Sequence, residues 1–257
     1  ADNTKLMLNL QTIAESFYSV CKGRAWIIVT SQSDLETVVG QLKQAQSTEY
    51  GRITARFPIK LNLGGANVEE VIQKRLLLKK KEHENELMRL YHENEIRMQT
   101  LFRFTDGTKT YRTFRDSEDF IGLYPFIPYQ SYLFQAAFIS LSENDAFPGK
   151  YTSVGARSLL SIFQFVLIQT AKREIGAIAG FDLMYEGLKP MVKTHLLHII
   201  QTAEVSGMDS FAMRILKILF ILKYVKDFKT TIRNIRILLL EDLQTDPESL
   251  NENIKQA

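Results

Sequence analysis

The stretch TSVGARSLLSIFQF, residues 152–165, decides how the chain is read. After Ser158 nearly every position is apolar or small, and neither proline nor glycine interrupts it, which predicts a buried α-helix running to about Lys172. Arg157 falls in the opening turn. Two readings fit it: a surface arginine whose stem lies along apolar atoms while its head stays in water, or a guanidinium placed to meet an anion.

The same texture extends outward in both directions. Only 13 glycines and 6 prolines punctuate 257 residues, so long helices should dominate. Leu6, Leu10, Ile13 and Phe17 share one face of a helix over about Thr4–Tyr18. RAWIIVTSQ, residues 24–32, carries the unbroken run Ala25-Trp26-Ile27-Ile28-Val29 and reads as a strand buried on both faces. Asp34 can cap a short helix to Leu42. ITARFPIKLNL, residues 53–63, alternates like a strand, with Pro58 placing it at an edge. Asn67 caps a helix with Glu69 and Glu70 in its first turn, where the dipole favours acids. That pattern continues to Phe102, a rod of roughly 50 Å. Its middle, KKKEHENE, offers no apolar stripe and reads as a solvated segment projecting from the body.

Further on, Pro128 marks the first position of another helix. FDLMYEGLK forms a short helix, Pro190 starts the next, and Gly207 ends it. Asp209 caps a helix over Ser210–Val225, Thr230 caps TIRNIRILLL, and Pro247 begins a final helix. The expected fold class is mostly α with a small α/β remnant in the first quarter.

Bulk properties exclude several function classes. A net charge of +3 does not by itself mark a nucleic-acid or membrane partner. The single cysteine, Cys21, allows no internal disulfide and fits a reducing cytoplasm. It has no evident base beside it. The N-terminal residues lack a signal-peptide layout, and the most apolar run, FAMRILKILFILKYV at 211–225, is interrupted by Arg214, Lys217 and Lys223 and is too short to span a bilayer. The expectation is a cytoplasmic protein with no membrane partner. HENE occurs at 83–86 and 92–95, but that spacing turns His83 and His92 to opposite faces of a helix. His195 and His198 could share a face, yet no acid or thiol lies near them in sequence, so packing is their expected role and no metal is expected.

A lone buried strand cannot make a parallel sheet, so the chain reads as a fragment of something longer. Three signals, in order, resemble the C-terminal part of an AAA+ ATPase module. IIVTSQ resembles the sensor-1 strand, with Thr30, Ser31 and Gln32 as candidates to position the attacking water. ARFP resembles the arginine-finger position, with Arg56 reaching a neighbouring subunit's nucleotide. SVGARS resembles sensor 2, with Arg157 contacting the γ-phosphate from a helical lid. Taken together, DNTKLMLNLQTIAE, WIIVTSQ, ARFPIKLNL, ANVEEVIQKRLL, YPFIPYQ and GARSLLSIFQ resemble the P-loop ATPases of BREX (bacteriophage exclusion) systems, the BrxC/PglY type, over nearly all of residues 2–225.

That resemblance implies an AAA+ core remnant over 1–65, a helical lid with a long projecting helix over 66–207, and the start of a winged-helix module over 208–257. It also implies a parent that binds ATP and Mg²⁺, self-associates through the AAA+ module, and works with other BREX proteins to remodel a DNA-modifying defence complex. The chain departs from the family in one respect: no Gly-x-x-x-x-Gly-Lys-Ser/Thr occurs in it, so nothing here seats a β-phosphate or Mg²⁺ and no cofactor is expected in this chain alone. ILLLED, residues 237–242, imitates a Walker B strand but falls in a Thr-capped helical pattern. Arg214, Lys217, Lys223, Lys226, Lys229, Arg233 and Arg236 form a basic run, opposed only by Asp227, that could meet DNA phosphates, whereas the would-be recognition helix with Glu248 and Glu252, preceded by Glu241, Asp242 and Asp246, is too acidic to read DNA well. A noncatalytic helical scaffold that recruits protein or DNA is the alternative to the motor.

Overall fold

The computed structural model describes residues 3–29, 57, 68–148 and 156–257. They fall into two compact units, residues 1–66 and 67–257. Residues 208–257, expected as a separate module, belong to the second unit.

The first unit contributes α1, Asn3–Cys21. The turn that follows uses Gly23 at φ +79°, a conformation open to glycine at no steric cost. Residues 25–29, expected as a buried strand, form none, and Trp26 and Ile28 are 85% and 89% exposed. An apolar run gains from an extended conformation only where neighbouring strands pair with it and cover it. None of the described residues does so. The helix expected over 34–42 and, apart from residue 57, the strand expected over 53–63 lie outside the described residues.

The second unit is helical: α2 (Val68–Leu76), α3 (Lys81–Leu101), α4 (Ser117–Leu123), α5 (Pro128–Glu143), α6 (Ala156–Thr170), α7 (Leu183–Leu188), α8 (Thr194–Val205), α9 (Ser210–Leu222), α10 (Ile232–Leu239) and α11 (Pro247–Gln256). No β-strand occurs among the described residues; Ala177 and Asp242 share an isolated antiparallel bridge. Local chemistry sets the helix ends. Asp209 accepts from the amides of Phe211 and Ala212, and Asp246 from those of Glu248 and Ser249. Thr231, rather than Thr230, caps α10 by accepting from the Asn234 amide. At the end of α8 the Met208 amide reaches the Ala203 carbonyl and the Gly207 amide the Glu204 carbonyl, with Gly207 at φ +81°.

The long rod expected over 67–102 is two helices broken at residues 77–80. On one straight helix the Val68–Ile72 stripe and the Leu87–Tyr91–Asn94–Met98–Leu101 stripe would point roughly 80° apart, so both could not face one body. The break resolves the conflict. Both stripes are buried, and α3 packs along α4 with the Tyr91 and Phe120 rings 5.6 Å apart instead of projecting into solvent. Further along α3, Asn94 Oδ1 accepts from Gln244 and Arg97 donates to the Thr245 carbonyl.

Within the break, burial pushes Lys79 down to about 8, while its Nζ donates to the Leu77 carbonyl at 2.7 Å. The unfolded chain, titrating near 10.5, therefore holds more protons than the folded one between about pH 8 and 10.5, and stability rises with pH across that window. Lys79→Met should flatten this rise, a difference that urea melts of both proteins at either end of the window measure directly.

The core is aromatic and centres on α5. Leu133, Phe134, Ala137, Phe138 and Leu141 are all fully buried there, each large side chain contributing roughly 1.5–3 kcal/mol. Phe163 of α6 packs edge-on to Phe126 and Phe134, and Phe147 stacks on Phe138 at 4.7 Å. The α6–α7 crossing is close: a Cβ on Gly187 would lie 2.9 Å from Ile162 Cγ2. Buried Gln130 accepts from the Ile127 amide and donates to the Ala179 carbonyl, satisfying an irregular segment inside the core.

Candidate functional site

Arg157 lies in the first turn of α6. That helix buries Leu159, Ile162, Phe163 and Val166, while Arg157, Ser161, Gln164 and Ile168 line its exposed stripe. The helix is therefore half-buried, not sunk in the core as its composition implied; Ile168 is 54% exposed. Arg157 belongs to the wet face. Helix N-termini carry partial positive charge and favour anions, yet the first turn of α6 holds no acidic residue and does hold this cation. No side chain or backbone acceptor among the described residues engages its guanidinium. Arg56, Thr30, Ser31 and Gln32 lie outside the described residues.

The basic run separates into two groups. Arg214 is an internal residue: its Nε meets Asp182 Oδ2 at 2.9 Å, its Nη1 meets Glu241 Oε2 at 3.1 Å, and its Nη2 reaches the Leu239 carbonyl at 3.2 Å. Burial works against its charge, but the Asp182 and Glu241 carboxylates more than offset this and hold its pKa above the ordinary arginine value. Arg173 adds a second cation to Glu241 at 3.2 Å. Glu241, the first acid of the Walker B imitation, is thus an ion-pair residue just past α10. Lys217 is held by Glu186 at 2.6 Å. Arg233 donates to Thr105 Oγ1 at 3.0 Å and lies 3.9 Å from Asp106. The Nε of Arg236 is buried without a partner.

Arg214 and Lys217 are therefore engaged in ion pairs that join helices. Lys223, Lys226 and Lys229, by contrast, are exposed and make no ion pair among the described residues. Lys223 lies 5.1 Å from the centre of the Tyr224 ring. Lys223 and Lys226 follow α9 and face a cleft against α5, which the sequence did not reveal because its other wall comes from residues 109–111.

His195 and His198 are exposed on α8 rather than packed, with His198 Nδ1 3.2 Å from Thr202 Oγ1. No cluster of metal-ligating side chains occurs among the described residues, and no helix among them is long and apolar enough to cross a membrane. No protein-family model matches the chain, and no solved structure matches it.

Proposed function

We propose that this chain is the C-terminal part of an AAA+ ATPase module from a BREX-type phage-exclusion system, with Arg157 as the sensor-2 arginine of its helical lid. The observation that carries the reading is an exposed guanidinium without a partner among the described residues, set at a helix end whose dipole repels it. A γ-phosphate arriving there would find the fork and the charge together at the positive end of a helix. Arg56 is then the trans-acting finger and Thr30, Ser31 and Gln32 the sensor-1 candidates, on sequence resemblance alone. The winged-helix reading of residues 208–257 rests on the order of α9, α10 and α11.

The scaffold alternative draws on a different observation: the sequence contains no P-loop. Both readings predict that the isolated chain releases no phosphate from ATP above buffer, because no residues here seat the metal-nucleotide complex. Steady hydrolysis abolished by Arg157→Ala would reveal a nucleotide site of another kind. The two readings part at the gene. An upstream reading frame carrying Gly-x-x-x-x-Gly-Lys-Ser/Thr and a Walker B strand upholds the motor, whereas a native start codon immediately before the Ala1 codon overturns it.

A further inference from the structure

The cleft between α5 and the segment after α9 has a volume of about 550 Å³. It is lined by Lys109 and Tyr111, by Lys223, Tyr224 and Lys226, and by Ala136 and Ser140 of α5. Three cations thus converge from two segments more than a hundred residues apart in sequence, and none forms an ion pair among the described residues. Aromatic rings lie among them. Lys109 Nζ sits 4.4 Å from the centre of the Tyr132 ring, which is 51% exposed and one helical turn before Ala136 on the same face of α5. Tyr132 in turn meets Tyr111 edge-on at 6.4 Å. Glu143, Asn144 and Asp227 also line the cleft and add hydrogen-bond acceptors.

We propose that this cleft binds single-stranded nucleic acid, its phosphates on Lys109, Lys223 and Lys226 and a base against the Tyr224 ring, with Tyr132, beside the cleft next to Lys109, offering a second ring face. Free lysines that track a backbone, interleaved with rings on which bases stack, are the two ingredients of sequence-tolerant single-strand binding. A duplex keeps its base faces stacked inside and does not fit a cleft of this size. The acceptors lining the cleft suit bases with an exocyclic amine, which cytidine carries and thymidine lacks. Burial, helped by the nearby Tyr132 and Asp227, pushes Tyr111 up to about 12. The two carboxylates lining the cleft partly offset the three lysines, so affinity should be modest and strongly salt-dependent. The inference stands apart from the ATPase reading, since no step of it uses Arg157 or hydrolysis.

The test is fluorescence anisotropy of the whole 257-residue chain with a labelled oligodeoxycytidine of about twelve nucleotides at about 50 mM salt. The triple change Lys109→Gln, Lys223→Gln and Lys226→Gln should weaken binding at least about tenfold and flatten the salt dependence by roughly 0.7 for each phosphate no longer neutralised. Tyr224→Leu and Tyr132→Leu should each weaken it roughly fivefold or more by removing a stacking face. Lys172→Gln, outside the cleft, should change nothing. All these side chains are at least partly exposed, so unchanged thermal melts verify the fold. If the oligomer outbinds free dCMP, several nucleotides occupy the cleft; equal affinities make one free nucleotide the natural occupant, and either upholds the phosphate-and-base chemistry. Absence of binding, an unaffected triple variant, a duplex bound as tightly as the single strand, or a polyglutamate peptide bound as tightly as the oligomer would each overturn the proposal.

Discussion

Asp182→Ala should cost this chain about 3 kcal/mol of stability, more than any surface change in the same unit. The Asp182 side chain is only 8% exposed, and both its oxygens take hydrogen bonds from Arg214, Nε at 2.9 Å and Nη2 at 3.2 Å. Removing the carboxylate leaves a guanidinium at 24% exposure with a surplus of charge. Glu241 still faces that guanidinium, which keeps the loss at the lower end of the range for broken buried pairs. The network also ties three helices together, since Asp182 immediately precedes α7, Arg214 lies on α9, and Glu241 follows α10. Arg214→Met in the Asp182→Ala background should return part of the loss, because no unpaired charge then remains. A double-mutant cycle in urea should therefore give a coupling of about 1–3 kcal/mol. A single-mutant loss below about 1 kcal/mol would mean that the pair is solvated in solution.

The same residue marks the limit of what the sequence discloses. Arg214 sits among lysines and arginines in the chain, and its neighbours alone invite a nucleic-acid reading. The carboxylates that claim it are Asp182 and Glu241, each more than two dozen residues away, and no local pattern announces such a pairing. Features set by local chemistry were legible: Pro128 and Pro247 at helix starts, Asp209 as a cap, and Gly207 at a helix end. The break between α2 and α3 was also present in principle. The spacing of Leu87, Tyr91, Asn94, Met98 and Leu101 alternates by four and three like a packed seam, and its phase disagrees with that of Val68 and Ile72. The charged stretch at 79–86 concealed that seam by suggesting a helix wet along its whole length. Trp26 and Ile28 show the opposite case, because an apolar run identifies a buried strand only where partners cover it, and none of the described residues covers this one. The cleft beside α5 was illegible for the same reason as the ion-pair network: Lys109 and Lys226 meet only through the fold.

Arg157→Ala should separate stability from turnover. In this chain the substitution removes a cation from the positive end of α6, so the folded state should hold its stability or gain about 0.3–1 kcal/mol, and Arg157→Glu should gain at least as much. In the longer ATPase that the functional proposal requires, the same Arg157→Ala should lower kcat by roughly 10²-fold, the usual cost of removing one charged group that meets the transition state. Affinity for ADP should barely change, since a sensor-2 arginine acts on the γ-phosphate that ADP lacks. Arg157→Lys keeps the charge but loses the fork, and should fall between the two. A stabilising substitution that also abolishes turnover is the signature of a functional guanidinium. Loss of stability in the isolated chain, or unchanged kcat in the longer protein, would instead make Arg157 a structural surface arginine and leave the lid assignment without its residue.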